Sequence, residues 1–281
     1  MAVIHFAPLQ GYTDSVYREA HTRVFGGVDT YYTPFVRIEK GGFRNKDLKD
    51  IACDRNRQVH VVPQLIASTP DEFRWIVRLF PMQVRAHRGS GLLRYKEEAE
   101  YLLRTIEEFP DISFSVKMRL GWECADESFV LLSLLNKLPL KHITLHPRLG
   151  IQQYKGAIDW DGFSRFYEEC KLPLYYNGDL VGLAGLMLGR GLLASPWLAT
   201  EFVSGQVLTV NERRDKLVMF HESLMDEYAA RLEGGEHQVL SKMKTIWDYL
   251  LQEADKRLRK KVLKSTSLTS YQSAVKDLLS L

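Results

Sequence analysis

With 281 residues, 45% of them apolar and 26% charged, the chain can fill a barrel-sized core and is not of disordered composition. Its formal net charge of +3 permits a polyanionic partner without requiring one. No apolar run reaches membrane-span length, the N-terminus lacks a charged region followed by a long apolar core, and Cys53, Cys124 and Cys170 have neither metal-ligand spacing nor the number for a disulfide framework; a cytoplasmic protein with no membrane and no metal is expected.

Residues 3–7 read as a short apolar strand broken by Pro8, with a loop over 9–14 in which Thr13 or Asp14 can cap a helix bearing Val16, Ala20 and Val24 on one face. Residues 28–36 and 58–66 are rich in β-branched and aromatic side chains and read as the second and third strands. Thr69 and Pro70 then start a helix that runs to about Phe80. A helix over 96–109 leads to a strand over 113–118, and a helix over 127–138 leads to a strand over 142–146. Two more strands follow at 172–177 and 183–188. Strands alternating with helices mean parallel βα units, and seven such strands are counted. From about Gly205 the pattern is helical only: Leu217, Phe220, His221, Leu224, Met225 and Tyr228 keep helical spacing, as do Met243, Ile246, Trp247, Leu250, Leu251 and Ala254. A last helix carries Tyr271, Ala274, Val275 and Leu278.

Four strand ends carry polar groups that an ordinary core would not hold: Gln64, Lys117, His146 and Asn177-Gly178-Asp179. Lys117 and Arg119, two apart, leave the same face of their strand, and two buried cations call for an anion. That anion is either a carboxylate of the barrel or a ligand at the carboxyl ends of the strands. A lone histidine ending a strand is more often a hydrogen-bonded core residue, Asn-Gly-Asp is first of all a turn, and Gly189-Arg190-Gly191 has uses other than phosphate binding. Together they say more, because the loops after the last two strands of a barrel commonly build a phosphate site.

At these residues the chain resembles the tRNA-dihydrouridine synthases. The resemblance is carried by Ala7-Pro8-Leu9-Gln10-Gly11-Tyr12-Thr13-Asp14, Gln64, residues 116–122 from Val116 to Trp122, Leu145-His146-Pro147-Arg148, Tyr176-Asn177-Gly178-Asp179 and Met187-Leu188-Gly189-Arg190-Gly191, in family order over residues 2 to about 200. Thr33-Pro34-Phe35-Val36-Arg37 also looks like the second strand of one bacterial branch. The resemblance implies an α/β fold, a TIM (β/α)8 barrel that binds FMN over residues 1–204, followed by a small C-terminal helical bundle over 205–281 that grips tRNA. It implies a monomeric oxidoreductase that reduces uridine to 5,6-dihydrouridine in tRNA with NADPH. By position, Pro8, Leu9 and Gln10 would lie along the flavin, Gln64 and Lys117 would hydrogen-bond its ring system, and His146 would approach it. Asn177, Gly178, Asp179, Gly189 and Arg190 would hold its ribityl phosphate end. Arg37 and Arg148 would meet the substrate. Lys260, Lys261 and Lys264, in a basic cluster with Lys256, Arg257 and Arg259, suit tRNA phosphates, or else form a solvated helix face.

Two places depart from the family. Its fourth strand ends in an Asn-x-Gly-Cys-Pro motif whose cysteine protonates C5 of the uracil, and this chain has no such motif. The helix ending near Phe80 runs straight into Pro81, and only five residues separate Asp179 from Gly185, too few for a parallel crossover. The fourth strand near 80–81 and a crossover helix near 180–184 are therefore expected to be missing, and the catalytic acid is unknown. Cys124, just past Trp122, could stand in for it but reads first as a loop thiol. Two alternatives remain: an FMN barrel reductase of a small activated alkene, which gives no reason for the helical tail, and a non-catalytic RNA-binding paralogue.

Overall fold

A computed structural model of the chain describes residues 3–79, 85–87, 90–153, 155–178 and 185–280. Its main sheet is parallel, with a first strand Val3–Phe6, a second Thr30–Tyr32 and a third split by Pro63 into Val61–Val62 and Gln64–Ile66. The fourth is Arg85–His87, the fifth Phe114–Gly121, the sixth Leu140–Leu149, the seventh Leu174–Asn177 and the eighth Gly185–Leu188. Val61–Val62 pairs with the second strand, Gln64–Ile66 with the fourth, and the eighth strand returns to the first with Phe6 opposite Leu188. The ring therefore closes with eight strands: the third keeps the second-strand side through both of its halves, with Leu65 bridging Val36, and takes the fourth on its other side.

The sequence reading stops at seven strands because the fourth has three residues, too few to show an alternating pattern. The place in the sheet that was expected to be vacant is held by Arg85–His87, with Ala86 opposite Val116. Residues 80–81 and 180–184, where segments were expected to be missing, lie outside the described residues.

Alternation along each strand sorts the side chains. Phe6, Leu65, Val116, Met118, Leu120, Ile143, Leu145 and Leu188 belong to the large core shared with the surrounding helices. Ala7, Tyr32, Val62 and Met187 form a separate small buried cluster, the plug inside the barrel. The helices around the barrel are α1 (Ser15–Val24), α2 (Asn45–Ile51), α3 (Pro70–Val77), α4 (Lys96–Arg104), α5 (Asp126–Leu135), α6 (Trp160–Glu169), α7 (Arg190–Ala194) and α8 (Leu198–Ser204). Asp14 caps α1 by accepting from the Tyr17 N–H, and Gly205 ends α8 in the left-handed region at φ 69°.

A capping box between Thr209 and Glu212 starts α9 (Val210–Arg231). It is followed by α10 (Gly235–Ile246), α11 (Lys256–Lys264) and α12 (Leu268–Leu279). Phe220 of α9 meets Tyr17 of α1 edge to face, with ring centroids 5.2 Å apart, so this helical part packs directly on the barrel. The helical spacing seen from Met243 to Ala254 does not end in one helix: α10 stops at Ile246 and residues 247–251 are turns. Among the described residues, no helix is long and apolar enough to cross a membrane.

Candidate active site

The polar strand ends converge. A cavity of about 380 Å³ at the carboxyl ends of the strands is lined by Pro8, Leu9 and Gln10, by Gln64, Lys117, His146 and Arg148, and by Asn177, Gly178, Gly189 and Arg190. The loop after the first strand is folded back on itself: the Leu9 N–H donates to Thr13 Oγ1 at 2.9 Å, the Tyr12 N–H donates to the Leu9 carbonyl, and Gly11 sits at φ 90°. This curl holds the backbone of residues 8–10 as one wall.

On the third strand, Gln64 is 3% exposed and its Oε1 has no hydrogen-bond donor among the described residues. A buried amide oxygen left unmet costs of order 1–3 kcal/mol, and this one borders the cavity. On the fifth strand, Lys117 lines the cavity while Arg119 does not. Arg119 Nη1 donates to the carbonyls of Leu149 at 2.8 Å and Gln153 at 2.6 Å, fixing the loop beyond the sixth strand. The two cations that the sequence could not separate thus have different fates.

His146 of the sixth strand accepts from Arg148 Nη1 at Nε2, at 3.2 Å. Burial first, and then the cations Lys117, Arg119, Arg148 and Arg190, push its pKa down to about 3, so the ring is neutral at pH 7. Asn177 of the seventh strand donates from Nδ2 to the Met187 carbonyl at 2.8 Å, which pins it to the eighth. A Cβ on Gly178 would fall 2.4 Å from the Tyr176 hydroxyl, so only glycine fits there. Among the described residues, those lining the cavity include Lys117, Arg148 and Arg190 and no Asp or Glu. Such a site suits a planar, hydrogen-bonding, anionic ligand.

Residues 81–280 match the family described as Dihydrouridine synthase (Dus). The chain belongs to this family. It is 27% identical over 165 residues to a "Probable tRNA-dihydrouridine synthase" of Rickettsia conorii, covering 52% of this chain and 50% of that protein. It is 24% identical over 239 residues to a "tRNA-dihydrouridine(16) synthase" of Pseudomonas syringae pv. tomato, covering 72% of this chain and 75% of that one. The chain spans about half the length of the Rickettsia conorii relative. Among solved structures, morphinone reductase superposes with a TM-score of 0.51 at 13% identity, covering 74% of this chain and 87% of that one, a likeness of barrel fold.

The remaining sequence candidates lie elsewhere in the chain. Arg37 is not among the lining residues; its Nη2 pairs with Glu39 at 2.9 Å in the solvent. Lys260, Lys261 and Lys264 are exposed on α11, away from the cavity, and Lys261 pairs with Asp277. Arg259 of the same cluster turns inward and donates to the Trp247 carbonyl. Asp179 lies outside the described residues. None of the three cysteines lines the cavity, and Cys124 is exposed.

Four lining residues had no assigned role from sequence: Ala7, Tyr12, Phe35 and Tyr249. Ala7, Tyr12 and Phe35 stand inside the family motifs and could have been found there. Tyr249 gave no signal, because the helical spacing around it runs unbroken through a turn.

Proposed function

We propose that this dihydrouridine synthase binds FMN in the cavity and reduces a uridine of tRNA to 5,6-dihydrouridine with NADPH as reductant. The observation that supports it is the meeting of ten of the expected flavin contacts, Pro8, Leu9, Gln10, Gln64, Lys117, His146, Asn177, Gly178, Gly189 and Arg190, around one cavity. The residues fit the group: the orphaned Gln64 oxygen can accept from a ring N–H, and Lys117, Arg148 and Arg190 in the cavity wall suit a phosphate and a ring that gains negative charge. When bound, FMN supplies hydride transfer.

The chain's own residues bind and orient. Lys117 holds positive charge against the ring's electron-rich edge, and the folded loop of Pro8, Leu9 and Gln10 flanks it. Neutral His146 keeps a nitrogen-bound proton without adding charge, its other nitrogen engaged by Arg148. Asn177, Gly178, Asp179, Gly189 and Arg190 hold the ribityl phosphate end. The uridine leaves its stack to enter, with Arg148 at the cavity wall, and exposed Lys260 and Lys264 meet tRNA phosphates outside.

A second reading is favoured by one observation. The family's protonating cysteine has no counterpart at the cavity, as expected of an RNA-binding relative that keeps the flavin site without turnover. Incubating the purified protein with unmodified tRNA and NADPH, then weighing the nucleosides by mass spectrometry, decides between them. A uridine that gains two hydrogens supports the first reading. Bound flavin and bound tRNA with no such product support the second, and absence of flavin binding overturns both.

A further inference from the structure

Among the described residues that line the cavity, Tyr249 alone comes from beyond residue 204. It belongs to the turn at 247–251, and that turn is restrained from several sides. Arg259 donates from Nη2 to the Trp247 carbonyl at 2.5 Å and from Nη1 to the Gln252 carbonyl at 3.4 Å. Trp247 Nε1 donates to the Tyr271 hydroxyl at 2.8 Å, and Gln252 Nε2 donates to the Asp248 carbonyl at 2.9 Å. The Leu251 N–H reaches across to the Ala194 carbonyl of α7, with Leu251 held in the left-handed region at φ 50°. A leucine there is disfavoured, and it persists only because its surroundings over-determine it.

The barrel side answers with Tyr12. Its hydroxyl donates to Asp248 Oδ2 at 2.9 Å, and its ring meets that of Tyr249 edge to face, 5.0 Å between centroids at 79°. Lys242 Nζ adds a bond to the Gly11 carbonyl and an ion pair with Asp14 in the same loop. Tyr249 is half-buried, its ring is held by Tyr12, and it borders a space whose walls also carry Gln64, Lys117, His146, Arg148 and Arg190. A pyrimidine taken out of an RNA stack loses its neighbours' π-faces, and an aromatic wall replaces them without regard to sequence.

We propose that Tyr249 is a substrate contact: its ring is the wall on which the extruded pyrimidine stacks, and the Tyr12–Asp248 hydrogen bond locks that wall to the barrel. This rests on the reading of the cavity as a site for an RNA uridine. It also makes the helical part a contributor to the pocket itself, because Tyr249 adds to the barrel's Tyr12 and Phe35 an aromatic face that comes from beyond residue 204.

Two measurements test it. A tRNA transcript carrying 4-thiouridine in place of uridine, irradiated on the flavin-loaded protein, should cross-link to the peptide that contains Tyr249. In the second, Tyr249→Ala should raise KM for tRNA by roughly 5- to 150-fold, the range for losing one base–aromatic stack, with kcat changed far less. Flavin content, melting temperature and reduction of the bound flavin by NADPH should stay as in the wild type. Tyr249→Phe should restore KM, since stacking uses the ring and not the hydroxyl. Cross-links that avoid residues 247–251, or a folded Tyr249→Ala protein with unchanged KM, would overturn the assignment. The two levels fail separately: cross-linking at Tyr249 with no dihydrouridine formed removes the functional reading and keeps the contact, whereas normal dihydrouridine formation by Tyr249→Ala removes the contact and keeps the reading.

Discussion

The two ends of the barrel use polar side chains for opposite purposes. At the amino ends of the strands, His5 stacks on Tyr175 with ring centroids 4.5 Å apart, its Nδ1 lies 3.0 Å from the Tyr32 hydroxyl, and His60 meets Thr30 at 3.0 Å. These polar groups satisfy one another around a hollow of only about 140 Å³. At the carboxyl ends, Gln64, Lys117 and His146 of the third, fifth and sixth strands and Arg190 of α7 surround about 380 Å³, beyond the plug of Ala7, Tyr32, Val62 and Met187. At one end the polar groups His5, Tyr32, Thr30 and His60 pair with one another around a small hollow, and the other end sets cations and the Gln64 oxygen around a larger one.

Substitutions at the two ends should therefore separate stability from binding. The largest effect belongs to the plug: Tyr32→Ala, at a side chain 1% exposed, should cost about 3–5 kcal/mol in chemical unfolding, with flavin affinity unchanged in the protein that remains folded. Lys117→Ala should do the reverse, weakening FMN binding by roughly 10- to 150-fold in a fluorescence titration, the cost of a hydrogen bond to a charged group, while leaving the unfolding midpoint nearly in place.

Acid should weaken the whole molecule through three buried histidines, one at the site and two in the scaffold. Burial holds His21 and His221 near a pKa of about 4, and burial with the cavity cations holds His146 at about 3. The unfolded chain takes up these protons below about pH 6.5 and the folded chain does not. The stability they permit is thus complete above pH 6.5 and is lost as pH falls towards 4, at up to about 1.4 kcal/mol per pH unit for each histidine. Replacing His146 by Gln should remove one histidine's share of that slope in unfolding curves taken between pH 6.5 and 4.

Gln64→Leu sharpens the comparison further. Without flavin it should be neutral or stabilise by about 1 kcal/mol, since it removes an unmet buried oxygen, yet FMN affinity should drop. A drop in apo stability would show instead that Gln64 is a structural residue like those at the other end. The smallest effect is outside the barrel. Changing Lys260 and Lys264 to Ala should flatten the plot of log affinity for tRNA against log salt by roughly 0.7–0.9 per lysine, with the flavin spectrum unmoved. Lys261, paired with Asp277, should contribute less.

Much of the carboxyl end was legible because polar residues interrupt apolar runs at Gln64, Lys117, His146 and Asn177, and a strand end is the one place where such an interruption is useful. The fate of each cation was not. Lys117 and Arg119 are equivalent in an alternating pattern, and only the loop beyond the sixth strand, which offers the Leu149 and Gln153 carbonyls, draws Arg119 away. The three-residue fourth strand leaves no periodic trace, so closure with eight strands could not be counted. Tyr249 was hidden for the opposite reason: Trp247, Leu250 and Leu251 keep helical spacing through a turn because all three still pack inward. In the basic cluster, composition cannot say that Arg259 is spent on the Trp247 carbonyl while its neighbours stay in solvent.

The central claim is that the carboxyl end of this barrel is a flavin site built around Lys117 and Gln64. Titrating FMN into the flavin-free protein and its Lys117→Ala and Tyr32→Phe variants, with flavin fluorescence and the visible spectrum as readouts, tests it most directly. The account predicts stoichiometric, saturable binding with a perturbed spectrum, lost or much weakened in Lys117→Ala and retained in Tyr32→Phe. A protein that neither carries nor takes up FMN, or one whose binding is indifferent to Lys117, would contradict it.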